Sequence, residues 1–215
     1  SAEVLATYGQ VLPLTILSEP SPRGYAATVE TLLRRALDLS DRPKRDGAIL
    51  MHGDLSHNPE DVTDFVRRLD SGADLVVGEG QIDPKWERSY RWTRRWSAYL
   101  LSRSARVDGV TDPTSGYLGF RLATLKLLFQ KPPRTLVSDG WAANAELAGR
   151  AAVHARRIET VSFAERHDLK SRPTRVIPWP HARSLWRASR VARRAVAAEQ
   201  TAPRAPKRRE KGSAA

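Results

Sequence analysis

Two short oily runs, AILM at 48–51 and ADLVVG at 73–78, bracket a stretch in which Val62, Phe65, Val66 and Leu69 recur at helical spacing. Runs that short and continuously apolar read as strands buried on both faces, and the segment between them reads as a helix with one apolar side. A strand, a helix and a strand of these lengths form a parallel crossover unit, which commits the chain to a layered α/β fold. LPLTILSE at 12–19, closed by the turn-forming PSPRG, predicts a further buried strand, and the end of a helix is expected over 3–9. Ala26, Val29, Leu32, Leu33, Ala36 and Leu37 predict a helix after it. Downstream, TDPTSGYLGFR predicts a loop entering a short strand, LATLKLLF a helix, SDGWAANAELAGRAA a helix capped by Ser138 or Asp139, and RRIETVSF a strand. The expected fold is α/β, a mostly parallel sheet flanked by helices.

Composition narrows the chemistry. The 215 residues suffice for one domain with a tail. There is no cysteine, which excludes a disulfide framework, cysteine-ligated metal sites and thiol catalysis, and permits a reducing compartment. No apolar run approaches the roughly 20 residues of a membrane span, and SAEVLATYGQ lacks the pattern of a signal peptide. Of the net charge of +12, the stretch 183–211 carries +8, with ten Lys/Arg against two Glu. The excess is a C-terminal arm and not a groove through the body. The division expected is an α/β domain over 1–178, a basic amphipathic helix over 179–200 and a disordered basic tail over 201–215.

The segment ILMHGDLSHNPEDV, 49–62, places His52, Asp54 and His57 at the mouth of a buried strand, just before the helix start Asn58-Pro59. Ligands in open α/β sheets collect outside the carboxyl ends of strands. A strand-end carboxylate there can hold a hard divalent cation through oxygen, and the cation can neutralise phosphate. By spacing alone a capping turn explains the same residues, and the two histidines read more simply as surface or hydrogen-bonded groups than as ligands.

The wider order decides more than this one turn. GYAATVETLLRRAL, ILMHGDLSHNPEDVTDFVRRLDSGADLVVGEG, VTDPTSGYLGFR, SDGWAANAEL and VSFAERHDLKSR occur in sequence over about residues 3–175. Together they resemble the family-2 glycosyltransferases of GT-A fold, in the polyprenyl-phosphate (dolichol-phosphate-mannose-synthase-like) branch. The resemblance implies transfer of a hexose, mannose or glucose, from a nucleotide-sugar to a polyprenyl phosphate with inversion at the anomeric carbon. Its acidic stretch, Asp-x-Asp-Leu-Gln-His-Pro-Pro-Glu, falls on 52–60, so that Asp54 is implied as the metal and diphosphate residue. His52 stands at the first aspartate and Ser56 at the glutamine. A divalent metal, Mn or Mg, is implied on Asp54 and His52, imidazole suiting manganese better than magnesium.

Further roles follow by the same matching. Gly24 falls among the cofactor contacts, Asp112, Ser115 and Gly116 match an Asp-Pro-Thr-Ser-Gly-Phe stretch, and Asp139 and Glu146 match acidic positions, with Asp139 implied as catalytic. Arg166, Ser171 and Arg172 match a phosphate-binding Arg-x-x-Gly-x-Ser-Lys, with Leu169 at its glycine. Arg94, Arg95 and Ser97 are nearest to a basic residue and serine beside the acceptor phosphate. Bland readings stand beside these: a structural turn at 112–116, a helix cap at Asp139, a solvated charge run at 165–172. Glu79 and Gly80 replace a serine and an arginine. Two strands carrying Pro-x-Tyr-Asn-Glu and Asp-Asp-x-Ser-x-Asp-Gly-Thr would precede Ser1, and neither motif is present in these residues.

Trp86, Tyr90, Trp92, Trp96 and Tyr99 sit among arginines in 85–106, and Trp179, Leu185, Trp186, Val191 and Val196 among arginines in 179–198. Both stretches suit the interface of an anionic membrane, with core packing as the alternative. A nucleic-acid arm competes, but no recognition fold accompanies it. The expectation is a cytoplasmic enzyme peripheral to the inner face of the membrane, with or without a membrane partner protein. The alternative is a non-catalytic relative that binds lipid phosphate or a partner there.

Overall fold

A computed structural model describes residues 5, 8–9, 11–19, 21–130, 136–166 and 178–201, with the side chains of the last stretch described from residue 184. Ser171, Arg172, the tail over 202–215 and most of 3–9 lie outside the described residues. The element order is α1 (Tyr25–Asp38), β1 (Gly47–Leu50), a 3-10 turn (Pro59–Asp61), α2 (Val62–Asp70), β2 (Leu75–Gln81), α3 (Arg88–Ala105), β3 (Leu118–Arg121), α4 (Leu122–Leu128), α5 (Gly140–His154), β4 (Ile158–Ala164) and α6 (Pro178–Thr201).

The strands form one sheet in the order β1-β3-β2-β4. β1, β2 and β4 all run the same way, and β3 alone opposes them, so the β1–β3 and β2–β3 pairings are antiparallel and only β2–β4 is parallel. The crossover expected between neighbouring strands therefore joins β1 and β2 with β3 inserted between them. Only long-range pairing decides such an insertion, because GYLGFR is equally able to extend in either direction.

β2 explains why its sequence is a continuous oily run. Leu75 and Val77 face one hydrophobic cluster with Leu118, Phe120, Leu125 and Leu147, while Val76 faces another with Phe65, Leu69, Tyr117, Val161 and Phe163. All three valine and leucine side chains are fully buried, each contributing about 1.5–3 kcal/mol. α2 covers one face of the sheet through Phe65 and Leu69, and α1, α3, α4 and α5 contribute to the cluster on the other. On α1 the predicted face is buried at Ala26, Val29 and Leu33, whereas Leu32 turns outward. α6 lies against α3 and α5 with Leu185, Ala192 and Val196 inward.

The expected strand at 12–19 does not form. Residues 13–19 have no regular structure, and Leu12, Leu14, Ile16 and Leu17 are 39–56% exposed. A strand is held by a neighbour's N–H and C=O groups as much as by its own oily residues, and among the described residues no strand pairs with this segment.

Candidate active site

β1, β2 and β4 end on the same rim of the sheet where β3 begins, and that rim collects Asp54, the 111–116 loop, Glu79, Arg94 and Glu165. The turn after β1 is built around its own acid. Asp54 Oδ1 accepts the Ser56 N–H at 3.0 Å and the Ser56 hydroxyl at 2.5 Å, and Leu55 is held at φ 63°, a left-handed backbone that few branched residues adopt. Asp54 itself remains exposed. Asn58 Oδ1 accepts the Glu60 N–H at 3.3 Å and starts the 3-10 turn, as Asn-Pro predicts.

The rest of the turn is fixed by rings. His52 stacks on His57 at 4.7 Å between centroids, His57 on Tyr117 at 4.6 Å, and Tyr117 on Phe65 at 4.2 Å. His57 Nδ1 accepts the His52 backbone N–H at 3.1 Å, which leaves Nε2–H to donate to the Ser115 carbonyl at 3.2 Å. Burial first, and the neighbouring His52 second, push His57 down to about 4, so it is a neutral structural group.

His52 is also engaged. The Tyr25 hydroxyl donates to Asn144 Oδ1 at 2.6 Å, so His52 Nε2–H donates to the Tyr25 oxygen at 2.9 Å. Burial, with Asp139 and Asp54 nearby, raises Tyr25 to about 12 despite the Asn144 hydrogen bond. Asn144 Nδ2 in turn donates to the Thr114 carbonyl at 2.9 Å. Gly116 completes this knot: at φ 74°, a Cβ there would come within 2.5 Å of His52 Nε2 and 2.7 Å of Asn144 Nδ2. Neither Tyr25 nor Asn144 is prominent in the sequence, because a tyrosine at a helix start and an asparagine on a small-residue helix carry no signal alone.

Arg94 departs from its expected place on phosphate. It is buried, its Nη1 pairs with Asp112 Oδ2 at 2.7 Å and donates to the Thr114 hydroxyl, and its Nε lies 3.5 Å from Glu165 Oε2. Burial alone would lower its pKa, but Asp112 and Glu165 outweigh that and hold it above the usual value. The charge is thus neutralised from within the protein. Glu79 and Gly80 acquire a reason here. Glu79 Oε1 accepts the backbone N–H groups of Thr111 and Asp112, at 2.5 and 3.1 Å, and a Cβ on Gly80 would stand 3.1 Å from Glu165 Oε2. Ser97 is buried with its hydroxyl donating to the Thr93 carbonyl at 2.6 Å, and Ser115 donates to the Gly78 carbonyl at 2.6 Å. Arg95 is exposed on α3.

Gly24 and Asp139 meet at another contact. Gly24, at φ 84°, precedes α1 without a side-chain cap, and Asp139 Oδ1 accepts the Ala26 N–H at 3.0 Å in its place. Glu146 is fully buried and accepts the N–H groups of Val137 and Ser138, holding the segment that presents Asp139. Arg166 is brought to the acid turn: its backbone N–H donates to the Ser56 carbonyl at 2.9 Å. Ser171 and Arg172, expected beside it, lie outside the described residues.

Metal fit is partial. Among the described residues no group of three His, Cys, Asp or Glu side chains could hold an ion, and His52 Nε2 is engaged by Tyr25. The exposed Asp54 carboxylate fits a cation completed by substrate phosphates, a common mode for hard divalent ions.

No protein-family model matches the chain. Over 79 residues it is 32% identical to the polyprenol monophosphomannose synthase of Mycolicibacterium smegmatis, across 35% of this chain and 30% of that protein. That match supports the family-2 glycosyltransferase resemblance. Among solved structures the chain is similar to glucosyl-3-phosphoglycerate synthase of Mycobacterium tuberculosis. The form with phosphoglyceric acid aligns at 19% identity and TM-score 0.49 over 86% of this chain and 58% of that one. The form with Mn2+ and uridine-diphosphate-glucose aligns at 19% and 0.48 over 86% and 57%. The chain thus spans less than a third of the curated relative's length and under three-fifths of these structures.

Proposed function

We propose that the protein is a GT-A glycosyltransferase that moves a hexose, mannose or glucose, from a nucleotide-sugar to a polyprenyl phosphate with inversion. The observation that carries this reading is the Arg166 N–H bonded to the Ser56 carbonyl, which sets a cationic residue beside the Asp54 turn on the rim where α/β sheets bind ligands. The similarity to a polyprenol monophosphomannose synthase supports the acceptor class.

The chemistry asks little of the side chains. The acceptor phosphate is already anionic, so no base is needed to form the nucleophile. Its oxygen makes the new bond to the anomeric carbon as the bond to the nucleoside diphosphate breaks, and the electron pair leaves with the diphosphate. Stabilising that departing charge and holding the reactants in line are the protein's tasks. Arg166 serves the first from beside Asp54. A divalent ion, Mn or Mg, held by Asp54 would supply further neutralisation of the diphosphate.

A surface of α3 and α6 supports access of the acceptor from a membrane. Trp92, Trp96 and Tyr99 are 40–53% exposed on α3, with the two indoles parallel at 6.0 Å. On α6, Trp186 is exposed beneath the Arg190 guanidinium, and Arg187, Arg193 and Arg194 are exposed on the same helix. Aromatic bodies among cations suit the headgroup layer of an anionic membrane, which supports the reading of a protein at the inner face of the membrane, with or without a membrane partner. No helix among the described residues is long and apolar enough to cross the bilayer.

The test is turnover of labelled GDP-mannose and UDP-glucose with polyprenyl phosphate and manganese. Asp54→Ala should lower transfer by at least about 100-fold, the scale of losing an electrostatic group at the reacting centre. Unchanged transfer in Asp54→Ala would remove the proposed role. Failure of the wild type to bind either nucleotide-sugar by calorimetry would favour the non-catalytic reading.

A further inference from the structure

On the opposite rim from Asp54, where β1, β2 and β4 begin and β3 ends, the surface forms an open cavity of about 530 Å³. The seven residues of β2 separate the two rims by about 20 Å at roughly 3.3 Å per residue. Sheet register assembles this cavity. Gly47 pairs with Arg121, and Leu75 lies opposite both Phe120 and Ile158, so Lys44, Asp74, Arg121 and Arg156 converge at one end. Lys126 on α4 adds a further cation, and Leu127 beside it an apolar wall.

Three cations, Lys44, Lys126 and Arg156, therefore share the cavity with one acid, and that acid is already engaged. Asp74 Oδ2 accepts the Arg156 backbone N–H at 2.8 Å, where it fixes the entry to β4. The Arg121 guanidinium is fixed by donating to the carbonyls of Arg45 and Leu69. Lys44, Lys126 and Arg156 are exposed and, among the described residues, form no ion pair with an acid. Cations gathered around a concave wall focus a positive potential that a compact anion relieves. The volume falls in the range of small-molecule sites, and Leu127 offers contact to a non-polar body behind the anionic group.

We infer that this cavity is a second ligand site, for a small organic phosphate, built at the end of the sheet remote from Asp54. A dianionic phosphate can take charge-assisted hydrogen bonds from lysine and arginine together, and the apolar wall favours an organic ester over inorganic phosphate. The inference does not depend on the transferase reading, because it concerns other residues at another rim.

Phenyl phosphate and inorganic phosphate, titrated into the 15N-labelled full chain, test it. Phenyl phosphate should shift the amides of Lys44, Lys126 and Gln130 saturably, more tightly than inorganic phosphate does. The double variant Lys44→Glu/Lys126→Glu changes two exposed residues, and it should weaken that binding by about tenfold or more by reversing two of the cations that contact the ligand. Arg166→Glu, at the other rim, should leave those shifts unchanged. Shifts confined to 52–57 and 112–116, or equal affinity in the double variant, would overturn the proposal.

Discussion

Asp139 Oδ1 accepts the backbone N–H of Ala26 at 3.0 Å, so an acid at the start of α5 caps the start of α1. Gly24 has no side chain to do so, and the contact joins two helices 113 residues apart in sequence. Asp139→Ala should cost about 1 kcal/mol, the usual value of a lost N-cap, and Asp139→Asn should retain most of it. Urea denaturation of the two variants measures the difference. Equal stability of Asp139→Ala and wild type would show that the contact contributes nothing.

Gly116→Ala should destabilise by about 2–3 kcal/mol, combining a left-handed backbone with overpacking. The added carbon would enter the space between His52 and Asn144, so the Tyr25 hydrogen bonds would open as well. Loss of the protected Tyr25 hydroxyl signal by NMR, beside a lowered urea midpoint, checks both parts. A Gly116→Ala protein as stable as the wild type would mean the 114–116 loop can move aside.

Removing Arg94 strands two carboxylates. Arg94→Met should cost about 3–5 kcal/mol, the range for breaking a buried ion pair by deleting one partner, because Asp112 and Glu165 would then face each other with little solvent. Arg94→Lys should recover only part of this, since a single ammonium cannot reproduce the fork that meets Asp112, Glu165 and Thr114. Thermal unfolding separates the variants; a lysine as good as arginine would deny the fork geometry its role.

His57 sets a pH dependence. Its folded pKa of about 4 lies below the ordinary 6.5, so the unfolded chain binds the proton more readily. Stability from this group is complete above pH 6.5 and is lost as the pH falls towards 4. The loss is up to about 3 kcal/mol at 1.36 kcal/mol per pKa unit. Unfolding free energies at pH 7 and pH 4.5 should show the decline in the wild type and a shallower one in His57→Asn. Identical slopes would place the titration elsewhere.

Periodicity made the helices and most strands legible. Val62, Phe65 and Leu69 marked α2, LVV marked β2, and Asn58-Pro59 marked the 3-10 turn, because a local pattern and a local cap suffice for each. LPLTIL misled for the opposite reason: its residues favour a strand, but no neighbour supplies the ladder. Asp54, with Arg166, was legible as a candidate through the order of motifs. Arg94 was legible as a cation, but the sequence could not show that Asp112 and Glu165 would surround it.

The sequence by itself determined the α/β layering, the acid turn after β1 and the amphipathic basic helix, since each depends on residues within a turn or two of one another. The tertiary structure alone decided that β3 runs against its neighbours and that Tyr25, His52 and Asn144 form one network. It alone decided too that Lys44, Lys126 and Arg156, distant in sequence, share a cavity at the far rim. Those arrangements depend on which segments lie side by side, and hydrogen-bond geometry and burial act only after the chain has brought them there.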